Sequence, residues 1–332
     1  MREARPTGPG RGSVVGVDLG GTKIAAARVD ADGACGPVRT RPTPARRGPG
    51  AVLDAVADAV REVVDESGGG LRALGLGTAG VVDVGRGVVV SATDTLPGWA
   101  GTDLVAALRH RLGGLVPVAG GPLAVHAEND VDAHAAGEAW LGAAAGASSA
   151  LLVAVGTGVG GAVVLDGRPL RGAHHLAGEM GHVPVPGAEG LRCSCGRTGH
   201  LEAVAAGPAI HRRYLALGGA TSSPDARDVV ARADQGDALA VRVVRAAGAA
   251  VGRAVAGVAT VLDPEVVVVG GGLARAGDLW WAALEGALRA EVVDVLAGLP
   301  VRPARLGASA AIVGAARGAW EHTARTAGRR AS

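Results

Sequence analysis

The chain carries one construction twice. An apolar, β-rich run, Val14-Val15-Gly16-Val17, ends in Asp18-Leu19-Gly20-Gly21-Thr22-Lys23 and resumes as Ile24 to Val29; Leu151 to Val155 ends in Gly156-Thr157-Gly158-Val159-Gly160-Gly161 and resumes as Ala162 to Leu165. Two short apolar strands joined by a glycine turn form a hairpin, so the chain reads as an internal duplication with a hairpin opening each half. Its 332 residues suit two domains. Further strands are predicted at 74–77, 88–90, 123–125, 266–269 and near Val301. Helices are predicted over 52–64, from a Thr102-Asp103 cap to Leu112, up to Trp140, over 225–233 and 237–262, and from about 279 and 309. Pro37 to Gly50 reads as a Pro/Arg/Gly-rich surface connection, and Gly142 to Gly146 as a joint. Strand, glycine turn and helix alternate throughout, which predicts an α/β architecture.

The glycine turns invite a comparison with nucleotide-binding loops. Gly156, Gly158 and Gly161 satisfy G-x-G-x-x-G, but a dinucleotide fold needs a helix to start there. Ala162 to Leu165 is short, β-branched and stopped by Asp166-Gly167, and no G-x-x-x-x-G-K-[ST] loop occurs. Glycines do let backbone amides approach an anion, and the hydroxyls of Thr22 and Thr157 add donors, so each turn can hold part of a polyphosphate. Either turn alone is equally read as structural. Lys23 is the only lysine in the chain, a compact point charge where every other strong base is arginine. Asp18 is placed to bind Mg²⁺ through water.

Residues 179–202 hold Glu179, Gly181-His182, Cys193-Ser194-Cys195-Gly196 and Gly199-His200-Leu201-Glu202. The segment has little periodicity, and His182, Cys193, Cys195 and His200 form a donor set suited to tetrahedral zinc. The bland alternative is a pair of ordinary thiols beside two surface histidines. A bound ion would draw Glu179 and Glu202 into one small volume, where they can accept hydrogen bonds from a polyhydroxylated ligand. Glu202 alternatively opens a helix at 201–204, where an acid suits the macrodipole.

Composition excludes more than it assigns. Net charge is +2, from 33 basic and 31 acidic residues, and 2% of residues are aromatic, so neither a concentrated basic face nor a stacking platform for nucleic acid is expected. Residues 1–13 lack the apolar core of a signal peptide, and no apolar run reaches the roughly 18 to 20 residues that cross a bilayer. Three cysteines, two of them candidate ligands, fit a reducing cytoplasm better than a disulfide framework; Cys35 stands alone and is expected to be structural.

Taken together the chain resembles the ROK family of sugar kinases and sugar-responsive repressors, within the actin-like ATPase superfamily. The resemblance rests on Asp18 to Lys23, Gly156 to Gly161, Glu128-Asn129-Asp130, Gly178-Glu179-Met180-Gly181-His182 and Cys193 to Glu202, and runs from about residue 14 to 320. It implies a two-domain, ribonuclease H-like fold with duplicated βββαβα cores: 12–126 with a C-terminal helix 309–328 as the smaller domain, and 127–308 as the larger.

It also implies ATP-dependent phosphorylation of a hexose at its 6-hydroxyl. Glucose is the first acceptor, N-acetylmannosamine, N-acetylglucosamine, mannose or fructose the alternatives, and polyphosphate an alternative donor. Asp130 would be the base, with Asn129, Asp130, Glu179, His182 and Glu202 on the sugar. Asp18, Gly20, Gly21, Thr22, Lys23, Thr157, Gly158 and Gly271 would serve Mg²⁺ and ATP. The family's zinc ligands fall on His182, Cys193 and Cys195; its usual fourth ligand is cysteine, and here that position is His200. Thr78-Ala79-Gly80 departs from the Pro-Gly more usual after that strand. A homodimer or homotetramer is the expected assembly. The repressor branch, a non-catalytic sugar sensor, carries an N-terminal helix-turn-helix, whereas about thirteen polar residues precede the first hairpin here.

Overall fold

Backbone pairing repeats itself in the two halves. The computed structural model describes residues 13–93, 95–116 and 122–331, so the expected domain start at residue 12 lies outside the described residues. In chain order the elements are β1 (Ser13–Leu19), β2 (Lys23–Arg28), β3 (Arg39–Pro42), α1 (Gly48–Ser67), β4 (Leu71–Thr78), β5 (Val81–Asp83), β6 (Val88–Ser91), α2 (Leu104–Leu112), β7 (Ala124–Asn129) and α3 (Asp130–Leu141). There follow β8 (Ser149–Val155), β9 (Val159–Leu165), β10 (Arg168–Pro169), α4 (Glu202–Ala205), α5 (Gly207–Ala216), α6 (Ala226–Asp234), α7 (Ala238–Leu262), β11 (Val266–Gly270), α8 (Asp278–Glu291), β12 (Val301–Pro303) and α9 (Ala310–Ala331). One sheet has the order β3-β2-β1-β4-β7 and another β10-β9-β8-β11-β12. In both, a hairpin lies antiparallel on one side and two parallel strands on the other. The duplication expected from the two glycine hairpins is thus a duplication of whole sheets.

The chain divides into two compact units. The first takes the chain to Gly142 with Arg171–His175 and the part from Ala308 on; the second takes Ala143–Leu170 and Leu176–Gly307. Alternation along β1 sorts the core of the first unit. Val15, Val17 and Leu19 pack with Val52, Val56 and Val60 of α1 and Leu104 and Leu108 of α2, while Val14 joins Ile312, Ala316 and Ala319 of α9. In the second unit α7 packs closely on α8, where a Cβ on Gly252 would lie 2.1 Å from the Leu284 carbonyl oxygen, and Val251 and Val255 share one core with Val267 and Val269 of the sheet.

The first unit extends beyond the expected boundary at 126, because α3 belongs with α9. A Cβ on Gly314 would lie 1.7 Å from the carbonyl oxygen of Ala133, so the two helix backbones meet at a distance no side chain permits. Small residues also set the fit of α9 on its sheet: a Cβ on Gly75 would lie 1.9 Å from the Ala315 carbonyl oxygen. A chain rich in alanine and glycine with no phenylalanine therefore packs by close backbone approach as much as by bulk.

Other boundaries also move. The stretch 37–50, expected as a surface connection, contains edge strand β3, whose Arg39 and Arg41 bond to Glu66 and Glu62 of α1. The strand expected at 123–125 is β7 and runs on to Asn129, and α5, unexpected from the sequence, starts with a proline in its first turn. No helix among the described residues is long and apolar enough to cross a membrane.

Gly75→Val should lower the unfolding free energy by about 1–3 kcal/mol through overpacking, read as a lower urea midpoint. Gly113→Ala, where a Cβ meets nothing within 4 Å, should leave the midpoint within the spread of ordinary surface substitutions.

Candidate functional site

Ligands of open α/β sheets bind beyond the carboxyl ends of parallel strands, and the first sheet delivers its chemistry there. Register aligns Asp18 of β1 with Gly77 of β4 and Gly77 with Glu128 of β7; one step on, Leu19, Thr78 and Asn129 align. The turn between β1 and β2 closes through Gly20 N–H donating to the Lys23 carbonyl at 3.0 Å, and Thr43 Oγ1 donates to the Gly20 carbonyl at 2.7 Å. Lys23 and Thr22 are exposed on this turn. Thr78 is fully buried and accepts from Trp99 Nε1 at 3.1 Å, so its hydroxyl serves the core.

Asn129 caps α3: its Oδ1 accepts from the amides of Val131 at 2.7 Å and Asp132 at 3.2 Å, and its Nδ2 donates to the Gly80 carbonyl at 3.0 Å. Asp130, the first residue of the helix, accepts from Val131 N–H at 2.9 Å. Burial raises the pKa of Asp130, opposed by the amides of Val131 and its own residue. Burial, and then the charge of Asp130, push Asp18 up to about 6, while Lys23 pulls the other way. Asp18, Lys23 and Asp130 are thereby brought into one electrostatic neighbourhood.

Arg171, Asp132 and His126 join Glu128 here, and no sequence motif marks them as site residues. Arg171 donates through Nη2 to Glu128 Oε2 and through Nη1 to Asp132 Oδ2, and His126 Nε2 lies 3.1 Å from Glu128 Oε1. Burial alone would raise the Glu128 carboxyl, but His126 and Arg171 hold it below its ordinary value. Asp132 is pushed up to about 6, chiefly by burial and against Arg171. Nothing in local spacing marks Arg171, since it meets its partners across some forty residues of chain.

In the second unit, Gly156 N–H donates to the Gly158 carbonyl at 2.8 Å, closing the turn between β8 and β9, and Gly207 N–H donates to the Gly156 carbonyl at 2.8 Å. A pocket of 760 Å³ opens beside this turn, lined among others by Thr157, His211, Asp225, Arg227, Gly272 and Arg275. Gly271 precedes it in the left-handed region, φ 84°. Asp225 also caps α6 by accepting from Arg227 and Asp228 N–H, where the sequence reading begins a helix; its place in a pocket depends on the return of residues 207–226 to the turn.

The cysteine loop lies in the same unit. Among the described residues His182, Cys193, Cys195 and His200 each offer a ligand atom, and these atoms lie within 4.8 Å of one another. Cys193 Sγ is 3.5 Å from His182 Nδ1, and Cys195 Sγ is 3.3 Å from His200 Nδ1. A tetrahedral zinc site with Zn–S near 2.3 Å and Zn–N near 2.0–2.1 Å has edges of about 3.3–3.8 Å; both of these Cys–His pairs have that spacing, and the donor chemistry suits zinc with histidine in the fourth position. The loop also has backbone ties of its own: Cys193 N–H to the Arg197 carbonyl at 2.8 Å, and Val185 N–H to the Gly199 carbonyl at 3.1 Å.

Glu202 opens α4, as its alternative reading has it, and reaches further. Its Oε2 accepts from Val159 N–H at 3.0 Å and its Oε1 from the Ser194 hydroxyl, so it ties the cysteine loop to the second glycine turn. Glu179 precedes the short turn Met180–His182 and lines an apolar pocket of 570 Å³ with Leu151, Met180, Val183 and Val258.

The model of the ROK family matches residues 14–321. A glucokinase from Thermotoga maritima is 35% identical over 296 residues, 85% of this chain and 88% of that protein. Among solved structures, a ROK hexokinase from Thermus thermophilus superposes with a TM-score of 0.79 and 38% identity, covering 94% of this chain and 99% of that one. A ROK family glucokinase from Streptomyces griseus, in complex with glucose and AMPPNP, superposes with a TM-score of 0.78 and 31% identity, over 93% of this chain and 100% of that one.

Metal analysis of the purified protein should find about one zinc ion per chain, the count a closed four-ligand site holds. Cys193→Ala and His200→Ala should each lower that content. Protein lacking zinc at full activity and full thermal stability would remove the metal from the site.

Proposed function

We propose that this chain, which belongs to the ROK family, transfers the terminal phosphoryl group of ATP to the 6-hydroxyl of glucose. The observation that carries the reading is Asp130, a half-buried carboxylate with a raised pKa that opens α3 where β7 ends, at the same end of the sheet as Asp18 of β1 and within reach of its charge. The acceptor comes from likeness to glucokinases over most of the chain's length.

In the proposed reaction the hydroxyl oxygen of the sugar attacks the terminal phosphorus, the bond from that phosphorus to the bridging oxygen breaks, and its electron pair leaves with ADP. The hydroxyl proton passes to Asp130. Such a transfer asks the protein mainly for alignment and charge stabilisation. Asn129 is held by the Gly80 carbonyl and the amides of α3, which suits it to orient a hydroxyl next to Asp130. Glu179, His182 and Glu202 are the further sugar contacts of this reading.

Gly20, Gly21, Thr22 and Lys23 in the first unit, and Thr157, Gly158 and Gly271 in the second, are assigned to the nucleotide, with the 760 Å³ pocket beside Thr157 taking its nucleoside. Bound Mg²⁺ would neutralise phosphate charge, and Asp18 is the residue to hold it through water. Zinc would be structural, leaving the second ring nitrogen of His182 for a hydroxyl.

Asp130→Asn should lower kcat by about 10²- to 10⁴-fold, the usual worth of a general base, with the KM for glucose little changed in a coupled assay. Near-normal turnover in that variant would sink the assignment. Because Asp130 must be ionised to accept the proton, kcat of the unmodified protein should fall as pH drops through the raised pKa of this carboxyl.

A further inference from the structure

Among the described residues, backbone amides are what hold the Asp130 carboxylate. Its Oδ1 accepts from the amide of the next residue at 2.9 Å, and the residues around it do the anchoring. Asn129 is tied to the Gly80 carbonyl. Glu128 and Asp132, two residues to either side, are tied to one guanidinium.

We infer that Arg171 is a positioning residue for the phosphoryl transfer, bridging the last turns of β7 and the first turn of α3 so that Asp130 meets the acceptor hydroxyl in one geometry. This rests on the kinase reading, with Asp130 as base.

The geometry suits that task. Glu128 is 1% exposed and the Asp132 side chain 12% exposed, whereas the Arg171 side chain is 25% exposed. A guanidinium presents several donors in a rigid plane, so a single side chain can fix two carboxylates relative to each other. Lysine in its place would supply the charge without the planar fork. The bridge spans the strand-to-helix junction at which the base sits, and a displacement of that junction by about 1 Å is enough to cost on the order of 10²-fold in rate. Charge is compensated by the same contact. Asp18, Glu128, Asp130 and Asp132 share this end of the sheet with Lys23, Arg171 and His126, so without Arg171 the carboxylates would repel one another across the junction.

The test is a double-mutant cycle on the full chain with ATP and glucose, using Arg171→Met, Asp130→Asn and the pair, plus Arg171→Lys. Arg171→Met should lower kcat by about 10²-fold while the KM for glucose moves by less than about threefold. Arg171→Lys should restore part of the loss. In the Asp130→Asn background, Arg171→Met should cost less than about threefold, because residues that act as a unit are not additive. Equal losses in both backgrounds, or a raised KM with unchanged kcat, would overturn the positioning role.

If Arg171→Met does not fold, judged by circular dichroism and melting, Asp132→Ala takes its place. It removes one arm of the bridge and should show a smaller kcat loss with the same dependence on Asp130; a loss independent of Asp130 overturns the proposal. An Asp130→Asn variant with normal turnover would instead refute the kinase reading beneath it, an outcome distinct from failure of the bridge.

Discussion

Carboxylates crowd the carboxyl end of the first sheet, and everything nearby answers to the cost of keeping them there. Glu128 and Asp132 are buried and Asp18 and Asp130 half-buried, and away from water an ionised acid without partners is expensive. The structure responds differently at each. Glu128 has Arg171 and His126 and is held ionised, Asp132 has Arg171 alone and rises to about 6, and Asp18 has Lys23 at a distance and rises as far. Asp130 is left with backbone amides. Of these acids it has the least charge compensation, and a proton acceptor with a raised pKa is what phosphoryl transfer from a hydroxyl can use.

That gradient depends on backbone register. Two parallel pairings put residue 18 opposite 77 and residue 77 opposite 128, so the acids converge because strands of similar length end together. The helix starting at Asp130 is pressed against α9 through Gly137 and Gly314, where backbone oxygens occupy the space a Cβ would need. Small residues therefore contribute to function at one remove: they determine where a helix lies, and the helix carries the base.

The second unit uses the same sheet plan for another purpose. Its hairpin turn opens onto a pocket, and Glu202 joins that turn to the cysteine loop by accepting from Val159 N–H and the Ser194 hydroxyl. A carboxylate tied to both elements couples the shape of the loop to that of the turn. Zinc on the His182, Cys193, Cys195 and His200 set would stiffen one end of the connection, and backbone pairing within the loop supplies the rest.

The α/β class, the duplication, the two glycine turns, the membership in the ROK family and the four-donor cluster were all legible in the residues, because each is written in contiguous stretches whose meaning is local: periodicity, a turn composition, a spacing of soft ligands. Boundaries were less legible. β3 hides in an Arg/Pro-rich stretch, since an edge strand needs only its backbone pairing and its ion pairs to α1, and α3 joined the first unit through contacts with a helix almost two hundred residues away. Arg171 and the pocket wall at His211, Asp225 and Arg275 were invisible for the same reason. A charge clamp or a pocket is made by chain segments that meet only after folding, and no single stretch of sequence records its distant partner.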